Sequence, residues 1–275
     1  MGEPVILLVD NGSTRAAATL SLRRIAVALG EACGRPVHPV SLQHADRIPV
    51  EQLDGVPAEV LPGFLRARLK EGAREFVVVP LFFGNSRALS SFIPEQAALL
   101  AAEFGAFELR QAVVLSPMPE GEPRLAQILA EHVAQCSARL GVRPNRVVVV
   151  DHGSPLPEVT AVRAKVTMAL RERLDAAITL GQAVMERRQG PEYDFNGQLL
   201  GDLLESCASQ DPKCVVVLAM MFISPGRHAG PGGDIEQICR QVMDRNPGLR
   251  VMVSPLIGEH PLLVEILKDR LEAVL

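Results

Sequence analysis

Val147-Val148-Val149-Val150-Asp151-His152-Gly153-Ser154 is the stretch on which the reading of this chain turns. Four consecutive β-branched residues predict a strand buried on both faces, as in a parallel sheet. The strand runs into His152, Gly153 and Ser154, and then Pro155. In an open α/β sheet, ligands bind beyond the carboxyl ends of the strands, so His152 stands where chemistry is placed in such folds. Taken alone, the stretch favours an ordinary loop histidine over a site.

Working outward, the same pattern occurs earlier in the chain. Val5-Ile6-Leu7-Leu8-Val9-Asp10-Asn11-Gly12-Ser13 precedes the stretch by 152 − 11 = 141 residues. Phe76 to Val79 is echoed by Cys214 to Val217, an offset of 214 − 76 = 138. Ser116-Pro117 is echoed by Ser254-Pro255, and the face Leu125, Ile128, Leu129 by Leu263, Ile266, Leu267, again at 138. A steady offset through strands, loops and helices marks a tandem duplication of domain size. Each copy reads as four strand-plus-helix units, the alternation of a parallel sheet. The expected class is α/β, with two tandem domains, each a mainly four-stranded parallel sheet flanked by helices. The division is expected at residues 1–142 and 143–275, around Gly141-Val142-Arg143-Pro144. The helix over 123–140 is assigned to the first copy. Residues 161–175 are read as the first helix of the second copy, and 84–92 as a polar loop. Asp234 suits an N-cap.

The 275 residues are 48% hydrophobic and 22% charged, an ordinary globular composition. A net charge of −4 and few aromatics argue against nucleic acid as a partner. The five cysteines have no CxxC spacing, which fits a reducing cytoplasm rather than a zinc knuckle or a disulfide framework. Apolar runs are too short for a membrane span or a signal h-region, so the expected location is the cytoplasm. No phosphate loop, dinucleotide glycine pattern or Gly-x-Ser-x-Gly elbow is present, so no ATP or nucleotide is expected.

The duplication lets one copy act as the control for the other. Asn11 corresponds to His152, and Gln43 to Glu186. After the third strand, Asn85-Ser86-Arg87 stands where the second copy has Gly226-Arg227-His228. An amide resembles imidazole or carboxylate in size but has no basic lone pair for a proton. It is also a poor ligand for a divalent metal. Two imidazoles and a carboxylate at three strand ends of one sheet suit a metal ion with open positions. Drift at three loop positions is the bland alternative.

These residues resemble the sirohydrochlorin cobaltochelatase and ferrochelatase family, the class II chelatases, in its long form with two chelatase-like domains. Asp151-His152-Gly153-Ser154 is similar to the family's Gly-His-Gly-Ser, and Met185-Glu186 to its Leu-Glu. Gly226-Arg227-His228 with Asp234-Ile235 resembles its Gly-x-His-x-x-x-Asp-Ile-Pro loop. Ser254 to Pro261 resembles its closing Gly-x-His-Pro turn. The resemblance implies ATP-independent insertion of cobalt or iron into sirohydrochlorin or a related tetrapyrrole. It implies His152, His228 and Glu186 as the metal-handling and catalytic residues, with Glu186 taking pyrrole protons. There are departures. Asp151 replaces a small residue, Pro155 stands where the family often has Arg, and five residues separate His228 from Asp234 against three. Two-domain members usually keep their site in the first half, whereas here the first half is the degenerate one.

The macrocycle needs a broad apolar cleft, expected between the two domains. Its carboxylates suit Arg187, Arg188 and Arg227 as anchors, and solvated surface arginines are the alternative. Glu192-Tyr193-Asp194 either lines the mouth of the cleft or is a solvated loop. The metal, Co2+ or Fe2+, enters as a substrate, and the chain is expected to act as a monomer or homodimer. The alternative function is a non-catalytic tetrapyrrole- or metal-binding protein on the same fold.

Overall fold

The computed structural model describes residues 3–275. The chain forms two compact units, each a four-stranded parallel sheet with helices on both faces. One comprises the residues up to Pro117 together with Pro261–Leu275, and the other Met118–His260.

In the first unit the strands are β1 (Val5–Asp10), β2 (Val37–Ser41), β3 (Glu75–Pro80) and β4 (Glu108–Gln111), in the order β2-β1-β3-β4. Helices α2 (Leu61–Lys70) and α3 (Ile93–Phe104) pack Leu65, Leu69, Ile93 and Leu100 on one face, against Leu7, Val9 and Val78. The remaining helices of this unit are α1 (Ala16–Cys33) and the C-terminal α8 (Pro261–Glu272), which pack on each other and reach β1 and β3.

The second unit repeats the plan with β5 (Arg146–Asp151), β6 (Thr179–Val184), β7 (Val215–Met220) and β8 (Arg250–Val253), in the order β6-β5-β7-β8. The valines of β5 are buried on both faces, as the opening stretch predicts. Val148, Val150, Leu218 and Met220 face Leu204 and Cys207 of α6 (Leu200–Gln210) and Ile235 and Cys239 of α7 (Asp234–Arg245). Helices α4 (Pro123–Leu140) and α5 (Pro157–Arg171) pack on each other and reach β7 and β5. Burying such side chains stabilises the fold by about 1.5–3 kcal/mol each before entropy is set against it.

The structure redraws several expectations. Helix α4, read as part of the first copy, packs in the second unit, and α8 packs in the first. The duplication offers a physical reason: Leu125, Ile128 and Leu129 form the same apolar stripe as Leu263, Ile266 and Leu267, so pattern alone cannot assign either helix. Helix α5 begins four residues before the expected Ala161, at Pro157, whose fixed φ suits a first helical position. Residues 88–92 of the expected loop form a helical turn leading into α3. Asp234 is the first residue of α7, and Gly233 occupies the N-cap.

Candidate functional site

Strand order builds the site. β5 lies between β6 and β7, so the carboxyl ends of these three strands are neighbours. Asp151 is in register with Val184, and Val150 with Met220. His152 follows β5, Glu186 lies two residues past β6, and His228 sits on the loop after β7. The end of β5 is laced to that of β6. Met185 N–H donates to Asp151 O at 2.9 Å and Glu186 N–H to His152 O at 3.1 Å. Gly153 makes this approach possible. Its φ is +94°, and a Cβ there would stand 2.1 Å from the Glu186 carbonyl oxygen, a position closed to any L side chain.

The three residues singled out from sequence are brought together. His152 Nε2 lies 3.1 Å from Glu186 Oε1. The His152 and His228 rings meet edge to face, with centroids 4.6 Å apart. His228 Nδ1 donates to Asp234 Oδ2 at 2.6 Å. An ionised carboxylate only accepts, so this bond puts the proton on Nδ1 and leaves the lone pair on Nε2. Asp234, expected as a helix cap, is thus the partner of His228. His152 Nε2 and Glu186 Oε1 engage each other, and among the described residues no group of three or more His, Cys, Asp and Glu side chains stands ready around one metal ion.

Next to His228 is an apolar cavity of about 300 Å³, whose walls include Met220, Ile235, Pro255 and Leu256. The three arginines fare differently. Arg187 donates to Asp194 Oδ1 at 2.9 Å, and the Arg188 guanidinium lies 5.7 Å from the centre of the Tyr193 ring. Tyr193 and Asp194 therefore hold these two arginines. Arg227 is 74% exposed and has Asp234 at 3.7 Å.

Sequence reasoning missed a polar group beneath the site. Asp151 accepts from Arg163 at 2.6 Å, inside α5, and from Gly153 N–H at 3.1 Å. Burial pushes the Asp151 carboxyl up, while the Arg163 guanidinium pulls it back. Asn196, also buried, accepts from Ser154 N–H at 2.9 Å and donates to Ser154 O at 2.8 Å. The signal was in the repeat: at the offset of 141, Arg163 corresponds to Leu22.

The CbiX family profile matches residues 5–136 and again residues 146–274. The chain belongs to the CbiX family. Its two CbiX-like segments follow one another in tandem, as in the class II sirohydrochlorin chelatases. The structure of SirB from Bacillus subtilis with Fe3+ superposes with a TM-score of 0.68 at 19% identity, covering 98% of this chain and 95% of that one. SirB from Bacillus subtilis subspecies spizizenii in complex with cobalt gives 0.64 at 18% identity, covering 98% and 94%. CbiX, described as the terminal enzyme for biosynthesis of siroheme in denitrifying bacteria, gives 0.61 at 14% identity over 99% and 100%. At these identities the likeness to the solved structures is one of fold. Among curated protein sequences none matches the chain. Among the described residues no helix is long and apolar enough to cross a membrane.

Proposed function

We propose that this CbiX-family chain inserts cobalt(II) or iron(II) into sirohydrochlorin or a closely related tetrapyrrole, without ATP. The observation that carries the reading is the spacing of His152 Nε2 and Glu186 Oε1, 3.1 Å, with the His228 ring edge to face with that of His152. Two donors on one tetrahedral cation, with bonds of about 2.0–2.1 Å, lie about 3.3 Å apart. The pair is therefore spaced for a single ion, with the His228 ring in edge-to-face contact with that of His152.

Metal insertion exchanges one divalent cation for two pyrrole N–H protons. Neutral imidazoles hold the cation without adding negative charge, so it can be released to the macrocycle. Glu186 is 60% exposed and, once the cation leaves it, accepts one pyrrole proton as general base, while the imidazole freed by the same departure takes the second and passes it to solvent. The apolar cavity beside His228 receives one edge of the ring. Arg227, with Arg187 and Arg188 once released from Asp194 and Tyr193, pairs with peripheral carboxylates.

The test is optical. Purified full-length chain is mixed with sirohydrochlorin and Co2+, or Fe2+ under anaerobic conditions, and the macrocycle spectrum is followed. Metallation is expected, and its loss in His152→Ala and His228→Ala. No metallation, or full activity in both variants, rejects the reading. The competing reading, binding without turnover, is favoured by the mutual engagement of His152 and Glu186 and by the longer loop between His228 and Asp234. It predicts stoichiometric ligand or metal binding and no metallated product.

A further inference from the structure

A fully charged arginine is buried in α5 and binds three separate elements at once. Arg163, 3% exposed, donates from its first terminal nitrogen to Asp151 at the end of β5, at 2.6 Å. Its second terminal nitrogen donates to Asn196 O at 2.6 Å, on the turn preceding α6. Its Nε donates to Gln182 Oε1 on β6 at 3.2 Å. Asn196, 1% exposed, then grips both backbone groups of Ser154 and takes a bond from Thr160 Oγ1 at 3.2 Å. Residues 151, 153 and 154 are thereby fixed on both sides of His152.

The other unit shows that the fold does not require this. Helices α1 and α5 start 141 residues apart, which places Leu22 opposite Arg163. Leu8 pairs with Pro39 where Val149 pairs with Gln182, so Pro39 stands for Gln182. The bridges Ser41–Val60 and Val184–Leu199 align the following turns and set Pro57 opposite Asn196. The first unit still anchors that turn, through Arg23 to the carbonyls of Leu53, Val56 and Pro57. Arg23 does not reach Asp10, and Asp10 Oδ1 is buried without a partner. The same sheet, turn and strand-end aspartate exist without the arginine, in the unit whose strand ends carry Asn11 and Gln43.

A buried ion pair is a poor route to stability, since desolvation offsets its attraction. It is an effective way to fix a geometry. His152 is half exposed, and its ring bonds are to Gly153 O and Glu186, both at 3.1 Å. Its placement against Glu186 and the His228 ring therefore depends on the backbone that carries it. We infer that Arg163, through Asp151 and Asn196, is a positioning residue that aims His152 at Glu186 for the incoming metal. The inference rests on the proposed metallation for its catalytic consequence, but its geometric content stands apart from it.

The test uses the full chain carrying Asp151→Asn with Arg163→Leu, which removes both charges and copies the leucine of the first unit. Co2+ affinity by calorimetry, the His152 ring resonances by NMR, and kcat and KM for sirohydrochlorin are measured together. Co2+ affinity and kcat are expected to fall about 10–100-fold, the usual cost of losing an outer partner of a metal ligand. KM is expected to stay within about 2-fold, and the His152 resonances to broaden. A folded variant with parental Co2+ affinity and sharp His152 signals overturns the inference, as does a raised KM at unchanged kcat. Arg163→Lys keeps the charge but not the three-way fork, and is expected to lose less than the double variant. If the double variant does not fold, parental Co2+ affinity in Arg163→Lys overturns the inference. If the parent itself fails to metallate, the proposed reaction falls, and Co2+ affinity with the His152 resonances still decides the positioning role.

Discussion

His152 and Glu186 are joined twice, once through the backbone, N–H of Glu186 to O of His152 at 3.1 Å, and once through their side chains at the same distance. The carboxylate is thus held where it meets the imidazole whatever the rest of its exposed surroundings do. Replacing it by an amide keeps the size and removes the base. Glu186→Gln is expected to lower kcat for metallation about 10²–10⁴-fold, the range of general acid–base contributions, with KM for the tetrapyrrole little changed. Stopped-flow absorbance with saturating Co2+ measures both. An unchanged kcat takes the proton-accepting role away from Glu186.

The close pass of Gly153 over Glu186 has a twin in Gly12, whose φ is +87° and whose added Cβ would lie 1.8 Å from the Gln43 carbonyl oxygen. Alanine at either glycine forces the two strand ends apart. Both variants are expected to lose roughly 1–3 kcal/mol of stability, the scale of local backbone strain. Gly153→Ala should also lose Co2+ affinity, and Gly12→Ala should not. Urea melts and calorimetry on the pair separate strain from site geometry. Equal Co2+ affinities in the two variants contradict the placement of the site in the second unit.

Asp10 supplies a pH signature. Burial pushes its carboxyl up to about 6, and the bonds from Ser41 and Gly12 offset this only in part. Between the unfolded value near 3.8 and about 6, the folded chain binds more protons than the unfolded one. The resulting stabilisation is present below about 3.8 and disappears as pH rises through about 6. Asp10→Asn removes this slope. Its gain over the parent should grow between pH 4 and 7 by about 3 kcal/mol, the free energy of moving a carboxyl from 3.8 to about 6. Urea midpoints across that range measure it, and parallel parent and variant curves would contradict the burial assignment.

His132 on α4 titrates in the opposite sense. Burial, then the charge of nearby His260, hold its imidazole below the usual histidine range. The two rings stand 5.5 Å apart, and His260 Nε2 meets Glu131 at 3.0 Å. Below about 6.5 the unfolded chain takes up a proton that folded His132 resists, so stability falls on acidification. His132→Gln should flatten the loss of thermal stability between pH 7 and 5.5. An unaltered pH dependence assigns the acid sensitivity to other groups.

Much of this was legible in the sequence, and for identifiable reasons. The run Val147 to Val150 fixed a buried strand because β-branched residues with no polar interruption have few other places to go. The comparison of Asn11 with His152, of Gln43 with Glu186 and of the histidine-free Asn85-Ser86-Arg87 with Gly226-Arg227-His228 picked out the side chains that the strand order then brings together. The ring contact of His152 with His228 and the bond from His152 to Glu186 follow from that order. What sequence did not show was what lies beneath them. Arg163 looks like one more charged helix residue until the structure shows it buried against Asp151, Gln182 and Asn196. Asp234 reads as a cap because aspartate commonly is one, and its distance of six residues from His228 gives no hint of the bond between them. The unit membership of α4 and α8 was illegible because both carry the same stripe.

That membership has a consequence for how the molecule comes apart. The chain passes from one unit to the other at Met118 and back again at Pro261. No single cut yields two self-sufficient pieces. Cleavage near Gly141 leaves a front fragment whose last helix, α4, belongs to the other body, and a rear fragment that ends in α8, owed to the first. Each piece exposes the sheet face it has lost and carries the cover for the other. Neither piece is a whole unit without the other.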